Sequence, residues 1–279
     1  MTQGVLLFAQ NNSDIDYNKL AVFAATRVEQ YLNLPVSIIT DSKDWLLKSQ
    51  PTARALFDKI ISIDTETTQT KRFHDGTLAS KILTWKNLSR ADCFELSPYD
   101  ETLVIDTDYI ISSNNLSKIW NNKFDFLIYK DSFDLAQWRD DRSFRYINQL
   151  SIPFYWATAF YFKKTLYTKS FFQIIKYIKN NWSYYRALYN IDSTVFRNDF
   201  AFSIAINIMG DEFAGSLPGK MNYILDKDIL VNLKDKSLQF LVEKKSYAGE
   251  YVATKTTALD VHVMNKYSLT RVIDGAIND

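Results

Sequence analysis

Four short apolar runs, each stopping abruptly at polar residues, constrain this chain more than any other feature. Val5 to Ala9 gives way to Gln10, Asn11, Asn12, Ser13 and Asp14. Val36 to Thr40 ends at Asp41, Lys59 to Ile63 at Asp64, and Thr102 to Ile105 runs into Asp106, Thr107 and Asp108. Runs this short, without alternation, read as strands covered on both faces. After the first, Tyr17, Leu20, Ala21, Ala24, Val28, Tyr31 and Leu32 recur at helical spacing behind the candidate caps Asp14 and Asp16, with Pro35 beyond the end. Trp45 to Phe57 and Leu78 to Phe94 also read as helices, and the polar stretch from Thr65 to Gly76 as a loop. Alternating strands and helices predict a parallel sheet with right-handed crossovers, whose ligand lies outside the carboxyl ends of the strands. Asn11, Asn12, Asp41 and Asp64 fall in that region, although each serves equally well in a turn or cap.

Further along, Phe124 to Tyr129 and Phe154 to Phe162 are strand candidates. A long amphipathic helix is expected from Lys169 to Tyr189, with Phe171, Ile174, Ile175, Ile178, Trp182 and Tyr185 on one face. A shorter helix is expected from Asn198. The tail offers strands at Met221 to Leu225 and Leu238 to Val242. No internal repeat or linker interrupts the 279 residues, which read as one α/β domain, Rossmann-like, with a C-terminal extension. The frame divides into residues 1–111, expected to hold the ligand at the strand ends, and 112–279, expected to supply the half for a second substrate and a C-terminal metal- and phosphate-binding segment.

Composition removes several classes. With 47% hydrophobic and 23% charged residues the chain is neither disordered nor fibrous. Seven glycines, and no GxGxxG or GxxxxGK[ST], leave little material for a glycine-rich phosphate cradle. Lys plus Arg (33) nearly cancel Asp plus Glu (32), so no global positive field draws the chain to nucleic acid or membrane. A single cysteine, Cys93, forms no internal disulfide, and two histidines fill no zinc site without carboxylates. With no signal peptide h-region and no membrane-length apolar stretch, a cytoplasmic protein is expected. Aromatic residues concentrate between Ile152 and Phe202, as a core or as a stacking surface for sugars or bases.

The sharpest chemical signal is LVIDTDYII. Alternation along a strand points Asp106 and Asp108 the same way at its end, where the pair can hold a hard divalent cation bridging two phosphates. An acidic turn is the plainer alternative. Near the C-terminus, DVHVMNK offers His262, sharing a strand face with Asp260, and Lys266 four residues later, placed to neutralise a leaving diphosphate. An imidazole added to two carboxylates favours a transition ion, Mn²⁺ ahead of Mg²⁺ or Ca²⁺.

With these motifs the chain resembles the nucleotide-sugar glycosyltransferases of GT-A fold, nearest the retaining glycogenin-like group, whose pattern is an N-terminal nucleotide-binding strand, a DxD and a late HxxGxxK. The resemblance runs from Val5 to about Lys266. It implies that Asp106, Asp108 and His262 hold the metal, with Asp106 and Thr107 also beside the donor. The exit of the first strand, here Ala9, Gln10 and Asn11, with Tyr17 a little further on, would contact the nucleoside. A basic residue before the DxD would reach the diphosphate or sugar: Lys81 ahead of Lys86 or Arg90. FRNDFAFSIAI resembles the segment in which a carboxylate opens a helix beside the donor sugar, which nominates Asp199, although Asn198 or Asp199 equally suits a helix cap. One departure stands out: HVMNK lacks the family's glycine, and its lysine comes at i+4 instead of i+6.

The resemblance implies transfer of a sugar from a nucleoside diphosphate, UDP most commonly, to a hydroxyl acceptor, with retention. Asp199 and Lys266 are the residues nearest the chemistry. Two rivals remain. A haloacid-dehalogenase-like phosphatase would use Asp106 as nucleophile, but its DxD normally ends the first strand. A non-catalytic nucleotide- or glycan-binding module is the other. The acceptor is expected to be a glycan, a lipid-linked sugar or a small molecule. A modified phage DNA base is an alternative, favoured by the basic runs Lys163, Lys164, Lys169, Lys176, Lys179 and Lys244, Lys245, Lys255.

Overall fold

The structure, a computed structural model, describes all residues except 65–68, 87–88, 140–143, 149–150, 211, 245–248 and 279; Lys245 therefore lies outside the described residues. The N-terminal half follows the expected alternation: β1 (Gln3–Ala9), α1 (Tyr17–Leu32), β2 (Val36–Thr40), α2 (Lys43–Ser49), α3 (Ala53–Leu56) and β3 (Lys59–Ser62). Asp16 caps α1, its carboxylate accepting the amide of Lys19, and Asn33 ends the helix in the left-handed region at φ 52°. The single helix expected over Trp45–Phe57 is two short ones, α2 and α3, separated at Gln50 and Pro51.

The next stretch overturns two expectations. Thr65 to Gly76 is not all loop, and Leu78 to Phe94 is not a helix. β4 (Gln69–Asp75) and β5 (Ala79–Trp85) pair antiparallel in a hairpin. A 3₁₀ turn (Ser89–Asp92) and the one-turn helix α4 (Cys93–Leu96) follow it. The turn is Gly76, Thr77 and Leu78, closed by the pair Asp75 and Ala79, with Gly76 at φ 72°, a left-handed conformation that glycine adopts without strain. Leu78, Ile82, Leu83 and Trp85 fit a helical stripe in sequence, but Leu78 is 94% and Ile82 64% exposed. Leu83 and Trp85 face the core as alternate residues of a strand.

β6 (Glu101–Ile105) leads through Asp106, Thr107 and Asp108 into the short β7 (Tyr109–Ile110). Then come β8 (Phe126–Tyr129), β9 (Ser132–Asp134), β10 (Trp156–Lys163), α5 (Leu166–Asn180), α6 (Trp182–Leu188) and α7 (Asn198–Met209). The long helix expected from Lys169 to Tyr189 is broken at Asn181, whose backbone leaves the helical region (φ −115°, ψ 33°) while its amide and its side chain both donate to the Tyr177 carbonyl. The chain ends with β11 (Gly215–Ser216), β12 (Met221–Ile224), β13 (Ile229–Lys234), β14 (Ser237–Glu243), β15 (Tyr251–Thr257), β16 (Val261–Val263) and α8 (Lys266–Asn278).

The central sheet has seven strands in the order β11-β8-β10-β6-β1-β2-β3. β1 is parallel to β2 and β6, β2 to β3 and β11 to β8, while β10 runs antiparallel between β6 and β8. Helices flank this mostly parallel α/β sheet, which is why its strands read as unbroken apolar runs. Gly4 in β1 sits under the Tyr99 ring, where a Cβ would come within 2.4 Å of ring carbon, so the packing requires glycine. On the β8–β10 side, Phe126, Phe160, Phe171 and Phe202 fill the core, with ring centroids 4.5 Å apart for Phe126–Phe171 and 4.8 Å for Phe160–Phe202. The aromatic concentration is therefore mainly core: Phe154, Tyr155, Trp156 and Tyr161 are buried, and Tyr184 stands exposed.

Two smaller sheets complete the described structure besides the hairpin. β7-β16-β12-β9 brings the C-terminus to the end of β6, and β13-β14-β15 forms the extension. No helix among the described residues is long and apolar enough to cross a membrane.

Candidate functional site

Register explains how distant parts of the sequence meet. Leu7 pairs with Ile105, so Asp106 emerges beside the carboxyl end of β1. β16 then pairs antiparallel with β7, His262 opposite Tyr109, and the Val263 amide donates to the Asp108 carbonyl at 2.9 Å. This pairing carries His262 to the second carboxylate of the DxD. One ligand atom from each of Asp106, Asp108 and His262 lies within 4.8 Å of the others. Asp260 does not join them. Its carboxylate turns away to accept the amides of Ser112 (2.8 Å) and Ser113 (2.9 Å).

Each member of the group has a charged or polar neighbour. Asp108 Oδ2 lies 3.3 Å from His262 Nε2 and accepts from Lys266 Nζ at 2.5 Å. Burial opposes the charge on Asp108, but the Lys266 ammonium and His262 outweigh it and hold the carboxyl well below the usual carboxylate range. Lys266 answers with a raised value: desolvation works against its charge and Asp108 more than restores it. Asp106 pairs with the guanidinium of Arg90, which also donates to the Ala157 carbonyl and is 2% exposed. His262 Nδ1 lies 3.4 Å from Thr158 Oγ1. The tautomer that donates from Nδ1 to that hydroxyl would free Nε2 to ligate a metal. Two carboxylates and one such imidazole, all beside one cavity, suit a divalent cation of the Mg²⁺ or Mn²⁺ kind.

That cavity, of about 140 Å³, opens at the carboxyl ends of β1 and β6. Gln10, Tyr17, Thr107 and Asp199 line it together with the triad and Lys266. The Tyr17 hydroxyl is buried there without a hydrogen-bond partner among the described residues, and desolvation pushes its ionisation well above the ordinary tyrosine value. Asp199 does not cap α7. It is the second residue of that helix; its Oδ1 accepts the Ala157 amide of β10 at 3.0 Å and its Oδ2 the Arg197 guanidinium at 2.7 Å.

Three of the sequence-nominated residues lie elsewhere. Ala9 is buried within the sheet. Asn11 is occupied by Asp16 and by the Asn18 amide, each at 3.1 Å. Lys81 sits on β5 and pairs with Asp14 at 2.6 Å, because the segment before the DxD is a hairpin and not a helix. Of the three basic candidates, Arg90 stands against Asp106, and Lys86 lines the cavity while paired with Asp41 at 2.9 Å. Sequence reasoning overlooked Lys71, Arg197 and Asp226, all of which line the cavity. The Asp75–Gly76 turn signal would have revealed the hairpin that carries Lys71. Nothing local marks the other two.

The sequence matches no protein-family model and no curated protein. Solved structures do resemble it. A galactosyltransferase, LgtC, in complex with donor and acceptor sugar analogs, superposes with a TM-score of 0.50 at 11% identity, covering 76% of this chain and 72% of that one. An active-site mutant of LgtC gives 0.49 at 12% identity over the same shares. The glycosyltransferase GlyE of Streptococcus pneumoniae TIGR4 gives 0.46 at 10% identity, covering 78% of this chain but 45% of its own, so this chain spans under half the length of GlyE. These structural neighbours are glycosyltransferases, and the likeness to LgtC establishes the fold: a mixed α/β architecture of GT-A type around a mostly parallel seven-stranded sheet.

Proposed function

We propose that the protein is a metal-dependent glycosyltransferase, moving a sugar from a nucleoside diphosphate, UDP by preference, to a hydroxyl of a glycan, lipid-linked or small-molecule acceptor. The observation that carries this reading is the convergence of Asp106, Asp108, His262 and Lys266 on one cavity at the carboxyl ends of β1 and β6. LgtC, with the same fold, was solved with donor and acceptor sugar analogs.

The chemical problem is a diphosphate that gathers negative charge as its bond to the sugar breaks. A divalent cation held by Asp106, Asp108 and His262 supplies Lewis-acid stabilisation of that charge when bound. Lys266 stands beside the same carboxylate, and its ammonium neutralises the departing phosphate as an electrostatic partner, not as a proton donor. Gln10 and Tyr17 hold the nucleoside side of the donor, and Thr107 its sugar–phosphate junction. The unpartnered Tyr17 hydroxyl gains most from a polar ligand. Asp199, fixed by Ala157 and Arg197, orients the transferred sugar. With retention no separate base is required, since the leaving phosphate accepts the proton of the acceptor hydroxyl. Residues 1–111 then form the nucleotide half and 112–279 the acceptor half together with the C-terminal metal and phosphate segment.

Calorimetry with UDP-, GDP- and ADP-sugars, first with Mn²⁺ and then with excess chelator, tests this on the wild type and Asp108→Ala. Metal-dependent binding of one sugar nucleotide, lost in the variant, is expected. A folded wild type that binds none of them in the presence of Mn²⁺ overturns the reading.

A further inference from the structure

The β4–β5 hairpin forms part of the cavity wall, contributing Lys71, Arg72, Phe73 and Trp85. Opposite residues of an antiparallel pair share a face, so Gln69, Lys71, Phe73 and Asp75 lie on the same side as Trp85, Leu83, Lys81 and Ala79. Phe73 and Leu83 are buried, which marks this side as the inner one.

The other long polar residues of that face are spent on holding the hairpin down. Gln69 accepts the Phe196 amide at 2.8 Å and donates to its carbonyl at 3.4 Å, three residues before Asp199. Asp75 accepts both arms of Arg271 on α8, at 2.7 and 2.8 Å. Lys81 takes Asp14. At the tip, Thr77 donates to Glu243 at 2.5 Å and its amide to the Tyr251 hydroxyl at 3.0 Å, which fastens the hairpin to β14 and β15. Tethers to α8, β14, β15 and the segments around Asp14 and Phe196 give the hairpin a fixed position over the site.

Lys71 is the exception. Its ammonium stands 5.3 Å from the Trp85 ring centroid and 5.7 Å from that of Phe73, within cation–π range of both. It has no carboxylate partner among the described residues. Lys86, Arg90, Arg197 and Lys266, the cavity's other cations apart from its strand neighbour Arg72, each have one. Lys266 and Arg197 act on it as like charges, ahead of the more weakly felt carboxylates of Asp226 and Asp108. A lysine fixed by two rings beside other cations, facing a cavity, is a place for an anion.

We propose that Lys71 binds the diphosphate of the donor from the hairpin side, opposite the metal-ligand triad, and that the C-terminal sheet β13-β14-β15 serves to hold that hairpin in place. The assignment rests on the nucleotide-sugar reading above and extends it to a residue outside the DxD and the C-terminal His/Lys segment. Lys71 binds and positions; no bond is made to it.

Inorganic pyrophosphate with Mg²⁺ serves as a probe that is blind to the nucleobase, read by calorimetry on the wild type, Lys71→Met and Lys71→Arg. Methionine keeps the unbranched stem and removes the charge. The expected result is a loss of about tenfold in pyrophosphate affinity in Lys71→Met, the size of one charged hydrogen bond, with most of it restored by arginine. UDP, GDP and ADP should show the same loss, while the matched nucleosides bind both forms alike. If the wild type binds nucleoside diphosphates and Lys71→Met, with an unchanged thermal midpoint, binds pyrophosphate within twofold of it, the role of Lys71 is overturned and the glycosyltransferase reading stands. If the wild type binds neither pyrophosphate nor any nucleoside diphosphate, both fall together.

Discussion

Lys266 Nζ and Asp108 Oδ2, 158 residues apart in the chain, meet at 2.5 Å, with side chains only 13% and 6% exposed. The pair joins the end of β6 to the start of α8, so the first turn of the C-terminal helix is electrostatically part of the DxD. Breaking such a pair from one side leaves a buried charge without compensation. Asp108→Asn is therefore expected to cost about 3 to 5 kcal/mol in urea unfolding. Adding Lys266→Met should return most of that loss. A double variant as unstable as the single one would show that the pair does not act as a unit.

The same geometry governs metal affinity in the absence of nucleotide. The Lys266 ammonium and His262 Nε2 approach one oxygen of Asp108, so a cation entering the triad meets a positive charge already at its ligand. Lys266→Met should raise Mn²⁺ affinity by about tenfold, as relief of a like charge at short range predicts. His262→Ala should lower it by at least about tenfold, through loss of a ligand. Electron paramagnetic resonance of free Mn²⁺ in titrations reads both. Unchanged affinity in both variants would place the metal elsewhere.

Asp199 tests the reactive side. Asparagine preserves the acceptor for the Ala157 amide while removing the charge that Arg197 meets. Asp199→Asn is expected to bind the donor within about threefold of wild type, to lose about 1 kcal/mol of stability, and to slow release of nucleoside diphosphate with water as acceptor by about a hundredfold. A release rate equal to wild type would remove Asp199 from the chemistry.

Arg139 supports the site from behind. Its guanidinium forks onto Asp134 (2.8 Å) and Asp228 (2.6 Å), and Asp228, fully buried, also accepts the amides of Leu225 (2.8 Å) and Glu243 (2.9 Å). This network fixes the turn that presents Asp226 to the cavity. Arg139→Met should cost about 3 to 5 kcal/mol in denaturant unfolding, because two carboxylates lose their counter-charge together. A loss below about 1 kcal/mol would mean that solvent reaches the network.

Lys71 gives the site a pH dependence. It is an exposed residue, yet desolvation beside the cavity wall, followed by Lys266 and Arg197 as like charges, pushes its ammonium down to about 8. The folded-state value lies below that of the unfolded chain. The charged form thus costs the fold below pH 8, and that cost is relieved as pH rises toward the unfolded value. Anion binding moves the opposite way. The ratio of wild-type to Lys71→Arg pyrophosphate affinity should fall as pH rises from 7 to 9, because arginine keeps its charge throughout. A flat ratio would mean that Lys71 titrates like a free lysine.

Much of the frame was legible from local signals. β1, β2 and β6 are covered on both faces, so their sequences are continuous apolar runs that end where the sheet ends, and Asp106 and Asp108 stand at such an end. β3, read in the same way, is the edge strand and only half-buried. Of the hairpin, only the Asp75–Gly76 turn signal was legible. Its strands show one face to solvent, and QTKRFHD and ASKILTW mix polar and apolar residues in a way that fits a loop or a helical stripe equally well. The break at Asn181 was hidden for a related reason: the apolar period continues across it, and only the backbone conformation of that one residue interrupts the helix.

The sequence by itself determined the strand–helix–strand frame and the residue types of the triad, since burial of a strand on both faces, and the chemistry of carboxylate and imidazole, are local properties. The tertiary structure decided which residues share the cavity. Pairing of His262 opposite Tyr109 brought the C-terminus to Asp108, Arg90 took the place beside Asp106 while Lys81 went to Asp14, and the hairpin brought Lys71. Those outcomes depend on registers between strands more than a hundred residues apart and on competition among carboxylates for cations, neither of which any window of sequence contains.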